Sequence, residues 1–384
     1  MTKGTPNVKL YRAGAIAGLI ACTVMLSACS SSKKKADDTT PPSTGAAGGS
    51  STPAATAPAC SSGKLDAEGS TAQTNAINAW IAAYQKACPG ATVNYNPTGS
   101  GAGVTSFTTG LVDFAGSDSA LDPTKGEVAK AQAKCGSTPL DLPMVVGPIA
   151  LAFKLKGADK VVLNGELTAK IFLGKITMWN DPAIAAVNPG VTLPATKITV
   201  FYRSDSSGTT QNFEKYLAAT APSLFTTKPD KDSSKAGFAG QGKAKSQGVA
   251  AAIAAVDGGI GYVEFSFAVS SGLNTASIDN GGGAVELSKD TASAAANAAT
   301  VTGTGNDLSL KIDYATKTAG AYPLILVTYE VVCTKYQDAA KGTFVKNFLT
   351  YTAEAGQAAL PGLGYAPLPT ELQTKVKAAV ATIS

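Results

Sequence analysis

From residue 63 onward the chain alternates between two hydrophobic rhythms, and this alternation constrains the fold more than any other feature. Short apolar runs with the period of a strand are followed by stretches with the period of a helix. Residues 63–68 read as a strand. Residues 71–86 read as a helix, with Ala76, Ile77, Trp80, Ala83 and Tyr84 on one face, and Pro89-Gly90 ends it. Residues 92–95 suit a second strand, 103–110 a short helix, 114–116 a third strand and 124–134 a third helix. Residues 144–155 then form a long, mostly apolar strand, interrupted by Gly147-Pro148. The pattern restarts with a helix at 168–173, a strand at 198–202, helices at 209–217 and 249–256, and a strand at 260–263. A second long apolar strand, 322–332, matches the first in length and character. Such a chain is α/β, with mostly parallel sheets flanked by helices. The two long strands act as crossovers between two lobes: residues 60–150 with 325–384 form lobe I, and 151–324 form lobe II. Ligands of such folds sit at strand carboxyl ends, in the crevice between lobes. Trp80 and Trp179 read as core.

Composition excludes several functions. Of the 384 residues 44% are hydrophobic and 15% charged, which suits substantial cores and rules out a mainly disordered chain. There is no histidine, so a Ser-His-Asp or Cys-His engine and a histidine-ligated metal are excluded. Lys3, Lys9 and Arg12 account for three of the 32 bases, which leaves 29 against 27 acids, a balance of +2. That balance does not suit nucleic acid.

Those three bases precede an apolar run at 13–26 and then Leu26-Ser27-Ala28-Cys29. The run is short for a membrane span and suits a signal peptide. The tetrapeptide resembles the lipobox of bacterial lipoproteins, which makes 1–28 the signal and Cys29 the lipidated anchor. An ordinary signal peptide that happens to precede a cysteine is the alternative. Residues 29–59 lack apolar periodicity and read as a disordered tether. No stretch of eighteen apolar residues occurs after residue 60. The body is therefore expected at the extracytoplasmic face of the cell membrane, held by its lipid alone.

Cys60, Cys88, Cys135 and Cys333 remain after the signal and anchor. Four cysteines in an exported chain allow three pairings. Cys60 precedes the first strand and Cys88 the next parallel one, so their entry ends are neighbours. That favours Cys60 with Cys88, leaving Cys135 with Cys333; free buried thiols remain the alternative. No CxxC metal motif is present.

Four polar clusters fall where strands turn toward helices: Glu68-Gly69-Ser70-Thr71-Ala72, Thr98-Gly99-Ser100-Gly101-Ala102-Gly103, Gly116-Ser117-Asp118-Ser119 and Arg203-Ser204-Asp205-Ser206-Ser207-Gly208-Thr209-Thr210. Helix amino termini carry unpaired N–H groups that favour anions, hydroxyls add donors, and glycine lets the backbone approach closely. Taken singly, a Ser or Thr before a helix is most often an N-cap, and a lone arginine most often a surface ion pair. Neither a Walker loop nor a Rossmann fingerprint is present.

With Leu163-Asn164-Gly165, Trp179-Asn180-Asp181-Pro182, Asn188-Pro189-Gly190 and Gly259-Ile260-Gly261-Tyr262-Val263-Glu264, these clusters resemble the PstS-type phosphate-binding lipoproteins of bacterial ABC importers. The resemblance covers about residues 63–384. It implies a two-lobed periplasmic-binding-protein fold (class II type). It implies a monomer without cofactor that receives inorganic phosphate and docks on membrane permease subunits driven by a separate ATPase. It also implies the site. Thr71 gives a hydroxyl, Ala72 an N–H, and Ser100 both. Arg203 makes a bidentate charged contact, and Ser207, Gly208 and Thr209 give hydroxyls and N–H groups. Asp118 accepts a hydrogen bond from the ligand, and Asp205 holds Arg203. Where Ala72 stands the family usually has a bulkier apolar residue, but only the backbone is used there.

The physics of that site is independent of the name. Phosphate keeps a proton at neutral pH and sulfate does not, so a carboxylate at Asp118 meets a donor in one and lone pairs in the other. An unpaired buried acceptor costs about 1–3 kcal/mol, so discrimination rests on Asp118. Arginine outperforms lysine because its planar fork matches two oxygens. Arsenate, a close mimic, passes the same test. A secreted phosphoester hydrolase is the competing reading, because Ser100 lies in a Gly-Ser-Gly setting. It lacks a histidine to activate the serine.

Overall fold

The computed structural model describes residues 57–384. The signal 1–28, Cys29 and the tether as far as residue 56 lie outside the described residues. In chain order the elements that build the site are β1 (Gly63–Gly69), α1 (Thr74–Ala87), β2 (Ala91–Pro97), α2 (Ser100–Thr108), β3 (Phe114–Ser117), α3 (Glu127–Cys135) and β4 (Pro139–Lys154). After them come α4 (Gly165–Phe172), β5 (Thr199–Arg203), α5 (Gly208–Thr220), β6 (Gln241–Lys243), α6 (Lys245–Ala255), β7 (Gly259–Glu264), β8 (Ile325–Cys333) and α7 (Ala339–Ala353).

One nine-stranded sheet runs through the molecule in the order β2-β1-β3-β8-β4-β7-β5-β6, with Asn274–Thr275 also paired to β4. Its flanks are parallel: β1 with β2 and β3, and β5 with β6 and β7. Its centre is antiparallel, because β8 runs against β3 and β4 and β4 runs against β7. The alternation of strand and helix signals thus gives the parallel wings, and the two long apolar strands pair with each other between them.

Two hydrophobic cores flank this centre. The first gathers Leu65, Trp80, Tyr84, Phe107, Phe114 and Phe348. The second gathers Phe153, Phe172, Trp179, Phe213, Tyr216 and Tyr262. Ala292, Ala295, Ala296 and Leu308 join the first core, while Tyr314 joins the second. Both tryptophans are buried, and each indole N–H finds a backbone carbonyl: Trp80 that of Gly356 at 2.8 Å and Trp179 that of Gly258 at 3.1 Å. Such a partner is what a buried indole needs. Cys60 is bonded to Cys88 and Cys135 to Cys333. The first bond ties the start of the body to the end of α1; the second ties α3 to the end of β8.

Several element ends depart from the periodicity. α1 starts at Thr74 rather than 71, because the Thr74 N–H and hydroxyl both bond the Thr71 carbonyl and hold 71–73 as a turn. α2 starts at Ser100 rather than 103, since three glycines conceal its first turn. Gly126, at φ +70°, separates α3 from the short 3-10 turn Pro123–Lys125. β4 runs straight through Gly147-Pro148. β8 begins at Ile325, beyond Pro323, which has no N–H for the ladder.

Candidate oxyanion-binding site

The register of the parallel strands brings three of the clusters to one edge. Gly69, the last residue of β1, lies opposite Pro97 of β2 and Gly116 of β3. The turns that follow are tied together: Ser70 N–H bonds the Gly116 carbonyl and Gly99 N–H the Gly69 carbonyl, both at 2.8 Å. The fourth cluster leaves the carboxyl end of β5, packed on the second core. It faces the other three closely enough to bond, with Gly101 N–H to the Ser206 carbonyl at 3.1 Å and Asn212 Nδ2 to the Asp118 carbonyl at 2.7 Å. Further out, two ion pairs of opposite sense span the same walls: Lys125 with Asp230 at 2.8 Å and Lys231 with Glu127 at 3.2 Å. Small residues make this approach possible. A Cβ at Gly101 would lie 1.9 Å from Ser206 Oγ.

Arg203 is 1% exposed. Its Nε donates to Asp205 Oδ1 at 2.7 Å, its Nη2 donates to Asp205 Oδ2, and its Nη1 donates to Ser246 Oγ at 3.1 Å. Burial opposes its charge, but the Asp205 pair outweighs burial and raises its pKa above the ordinary value. Burial likewise pushes Asp205 up, and the Arg203 hydrogen bonds and charge more than reverse this. Asp205 takes one edge of the guanidinium, and each Nη keeps a further proton for an anion.

Asp118 is the acidic member, and it is already well supplied with donors. Its Oδ1 accepts from Ser70 Oγ at 2.5 Å and Thr328 Oγ1 at 2.8 Å, and its Oδ2 from Ser100 Oγ at 3.0 Å. Burial pushes its pKa up to about 6, against the lowering by those hydroxyls. Near neutrality it therefore holds or shares a proton more readily than an exposed aspartate.

Ser100 and Gly208 each open a helix, so their N–H groups and that of Thr209 have no intrahelical acceptor. Other groups have partners of their own. Ser207 Oγ caps α5 by accepting from Thr210 N–H at 3.3 Å, which leaves its hydroxyl proton free. Ser207 N–H donates to the Lys231 carbonyl, Ala72 N–H to Ser70 Oγ at 3.0 Å, and the Thr209 hydroxyl to Glu264. The structure thus gathers Thr71, Ala72, Ser100, Asp118, Arg203, Ser207, Gly208 and Thr209, all buried, with Asp205 behind Arg203. It adds Ser70, Thr328, Ser246, Glu264 and Asn212. Ser70 lies in the first of the four polar clusters, and Thr328 is a polar interruption of the apolar run 322–332. Nothing in the local sequence marked Ser246.

Donors from four strand ends around one guanidinium suit an anion with several acceptor oxygens. Residues 54–355 match the PBP superfamily domain model. Over 384 residues the chain is 42% identical to the phosphate-binding protein PstS3 of Mycobacterium bovis, covering 98% of this chain and 100% of that protein. The chain belongs to the PstS family of phosphate-binding proteins. A second PstS relative, the phosphate-binding protein PstS 2 of Mycobacterium tuberculosis, is 43% identical over 327 residues, 84% of this chain and 87% of its own. Among solved structures, a high-affinity periplasmic phosphate-binding protein (PfluDING) bound with phosphate is similar at TM-score 0.68 and 25% identity. That match covers 82% of this chain and 93% of that one. No helix among the described residues is long and apolar enough to cross a membrane.

Proposed function

We propose that this chain binds inorganic phosphate between its two lobes outside the cell membrane and hands it to the permease subunits of a phosphate ABC importer powered by a separate ATPase. One observation carries the reading: a buried arginine, locked by Asp205, shares a cleft with two helix openings and a buried carboxylate, all contributed from both cores. Arg203, Ser207, Gly208 and Thr209 supply charge and donors from one wall, and Thr71 and Ser100 supply donors from the other, joined by the Ala72 N–H once it leaves Ser70 Oγ. Asp118 takes the hydrogen bond of the protonated phosphate oxygen, and rejects sulfate for want of that proton. Its three hydroxyl neighbours fix where the carboxylate points.

Lobe I comprises 60–150 and 325–384, lobe II 151–324 apart from Ala292, Ala295, Ala296 and Leu308, which pack in the first core, and the lobes close as a clamp that excludes water. The chain works as a monomer, tethered by lipid on Cys29, and carries its ligand without transforming it. With no histidine in the sequence, Ser100 has no such base to make it a nucleophile. Calorimetry of the full chain with phosphate, sulfate and arsenate tests the reading. Saturation at one site by phosphate with no heat from sulfate is expected. Equal response to sulfate, or silence toward phosphate, overturns it.

A further inference from the structure

Ser246 lies among the proposed phosphate contacts without being one of them. Its Oγ is 2.7 Å from Thr71 Oγ1 and 3.1 Å from Arg203 Nη1, and the residue is 1% exposed. The three groups come from both walls: Thr71 follows β1, whereas Arg203 ends β5 and Ser246 opens α6.

The backbone is strained to put it there. Lys245, at φ +65°, is the only non-glycine residue with positive φ among the described residues. That conformation is unfavourable for a residue with a β-carbon, and such strain persists only where surrounding contacts over-determine it. Lys245 N–H donates to Asp205 Oδ1 at 2.9 Å, the same oxygen that accepts from Arg203 Nε. One carboxylate therefore holds both the guanidinium and the turn that delivers Ser246.

Arg203, Ser246 and Thr71 can form one continuous line of donation, in that order. A guanidinium only donates, so Ser246 Oγ accepts from Arg203. A serine hydroxyl has one proton, and its remaining neighbour is Thr71 Oγ1. If that proton goes to Thr71, the Thr71 hydroxyl has accepted and its own proton is left over. Among the described residues the Thr71 hydroxyl has no other partner, so in that arrangement its proton is available to a ligand.

We propose that Ser246 is a positioning and specificity-determining residue. It relays the donor-only character of Arg203 to Thr71 and makes the Thr71 hydroxyl an obligate donor to the bound oxyanion. This rests on the phosphate-binding reading of Thr71 and Arg203. A donor-committed Thr71 accepts an unprotonated oxygen and refuses a protonated one. The P–OH oxygen is thereby directed to Asp118, the acceptor on the same wall, so Ser246 helps fix the orientation in which phosphate is read.

The test is a double-mutant cycle on the full chain, titrated with inorganic phosphate. Ser246→Ala should weaken binding about tenfold in an otherwise unaltered chain. It should change binding less than about twofold in a Thr71→Val background, because the relay is already cut. Ser246→Cys keeps the approximate shape with a weak donor and should behave like the alanine variant. The loss in Ser246→Ala should also be larger at pH 8.5 than at pH 6, because the dianion offers Thr71 more unprotonated oxygens. Equal losses in both backgrounds, or full binding by Ser246→Cys, would mean that the residue only packs, and would overturn the proposal. If the unaltered chain fails to bind phosphate, the underlying reading falls and this inference with it. Binding by the unaltered chain with an additive cycle sinks the Ser246 role alone.

Discussion

Gly208→Ala isolates the contact between the two walls. The methyl group added at Gly208 would meet Asp118 Cβ at 2.5 Å, Ser100 Oγ at 2.6 Å and Asp118 Oδ2 at 2.8 Å. Carbon atoms in good contact sit about 3.5–4.0 Å apart, so the walls must separate by about 1 Å or the cluster must distort. Asp118 and Ser100 are buried and mutually hydrogen-bonded, which makes local yielding costly. Overpacking of this kind costs about 1–3 kcal/mol, or roughly 5- to 150-fold in affinity. The substitution retains the Gly208 N–H, so no donor is lost. It also replaces glycine by alanine in a helix, which by itself stabilises by up to about 1 kcal/mol. The two effects have opposite signs in two measurements. Calorimetry should show phosphate bound at least fivefold more weakly, while the ligand-free melting temperature stays level or rises. Unchanged affinity would refute the reasoning. So would a ligand-free melting temperature several degrees lower, because the contact would then belong to the folding core and not to closure.

Other expectations follow from the same geometry. Asp118→Asn should narrow the phosphate-to-sulfate affinity ratio by about tenfold or more, read by competitive titration with the two anions. Arg203→Lys should weaken phosphate binding by about a hundredfold, since a lysine cannot satisfy Asp205 and also present two donors to the ligand; near-normal affinity would remove Arg203 from the site. Burial pushes Asp118 up to about 6, Asp141 to about 7 and Glu214 and Glu330 to about 8. Unfolding releases those carboxyls to ionise near 4, so between pH 4 and pH 8 the folded state binds more protons and ligand-free stability falls as pH rises. Glu330→Gln should therefore raise the melting temperature at pH 8, by roughly 1–3 kcal/mol of stability, and leave it unchanged near pH 4. Replacing Cys135 and Cys333 by serine should destabilise more than replacing Cys60 and Cys88, because their sequence separations are 198 and 28; thermal unfolding of the two double variants decides it.

Much of this arrangement was legible because parallel, doubly covered strands must be apolar and must alternate with helices. The strands near 63, 92, 114, 198 and 260 show that signature, and so do the polar turns at their carboxyl ends. The central pairing was not legible. β4 and β8 meet across nearly two hundred residues, and no turn joins them to announce an antiparallel partner. The start of α2 was hidden because Gly99, Gly101 and Gly103 are poor helix formers, kept there for close approach to Gly69 and Ser206. Ser246 escaped for a similar reason. Its position depends on positive φ at a lysine, which sequence preference argues against, and on a carboxylate forty residues away. Thr328 supports Asp118 from inside an apolar strand, where a single hydroxyl reads as a strand former.

β4 has a consequence for how the polypeptide comes to exist at all. Its early residues Leu140, Leu142 and Met144 lie in one apolar nucleus and its later residues Ile149, Leu151 and Phe153 in the other, while β8, its neighbour for most of that length, is the last strand made, with only helical segments after it. Both nuclei draw residues from β8, so a fragment ending before β8 has no native half to fall back on. Pairing of such remote segments is slow. Heat should dissolve both nuclei in one transition rather than two.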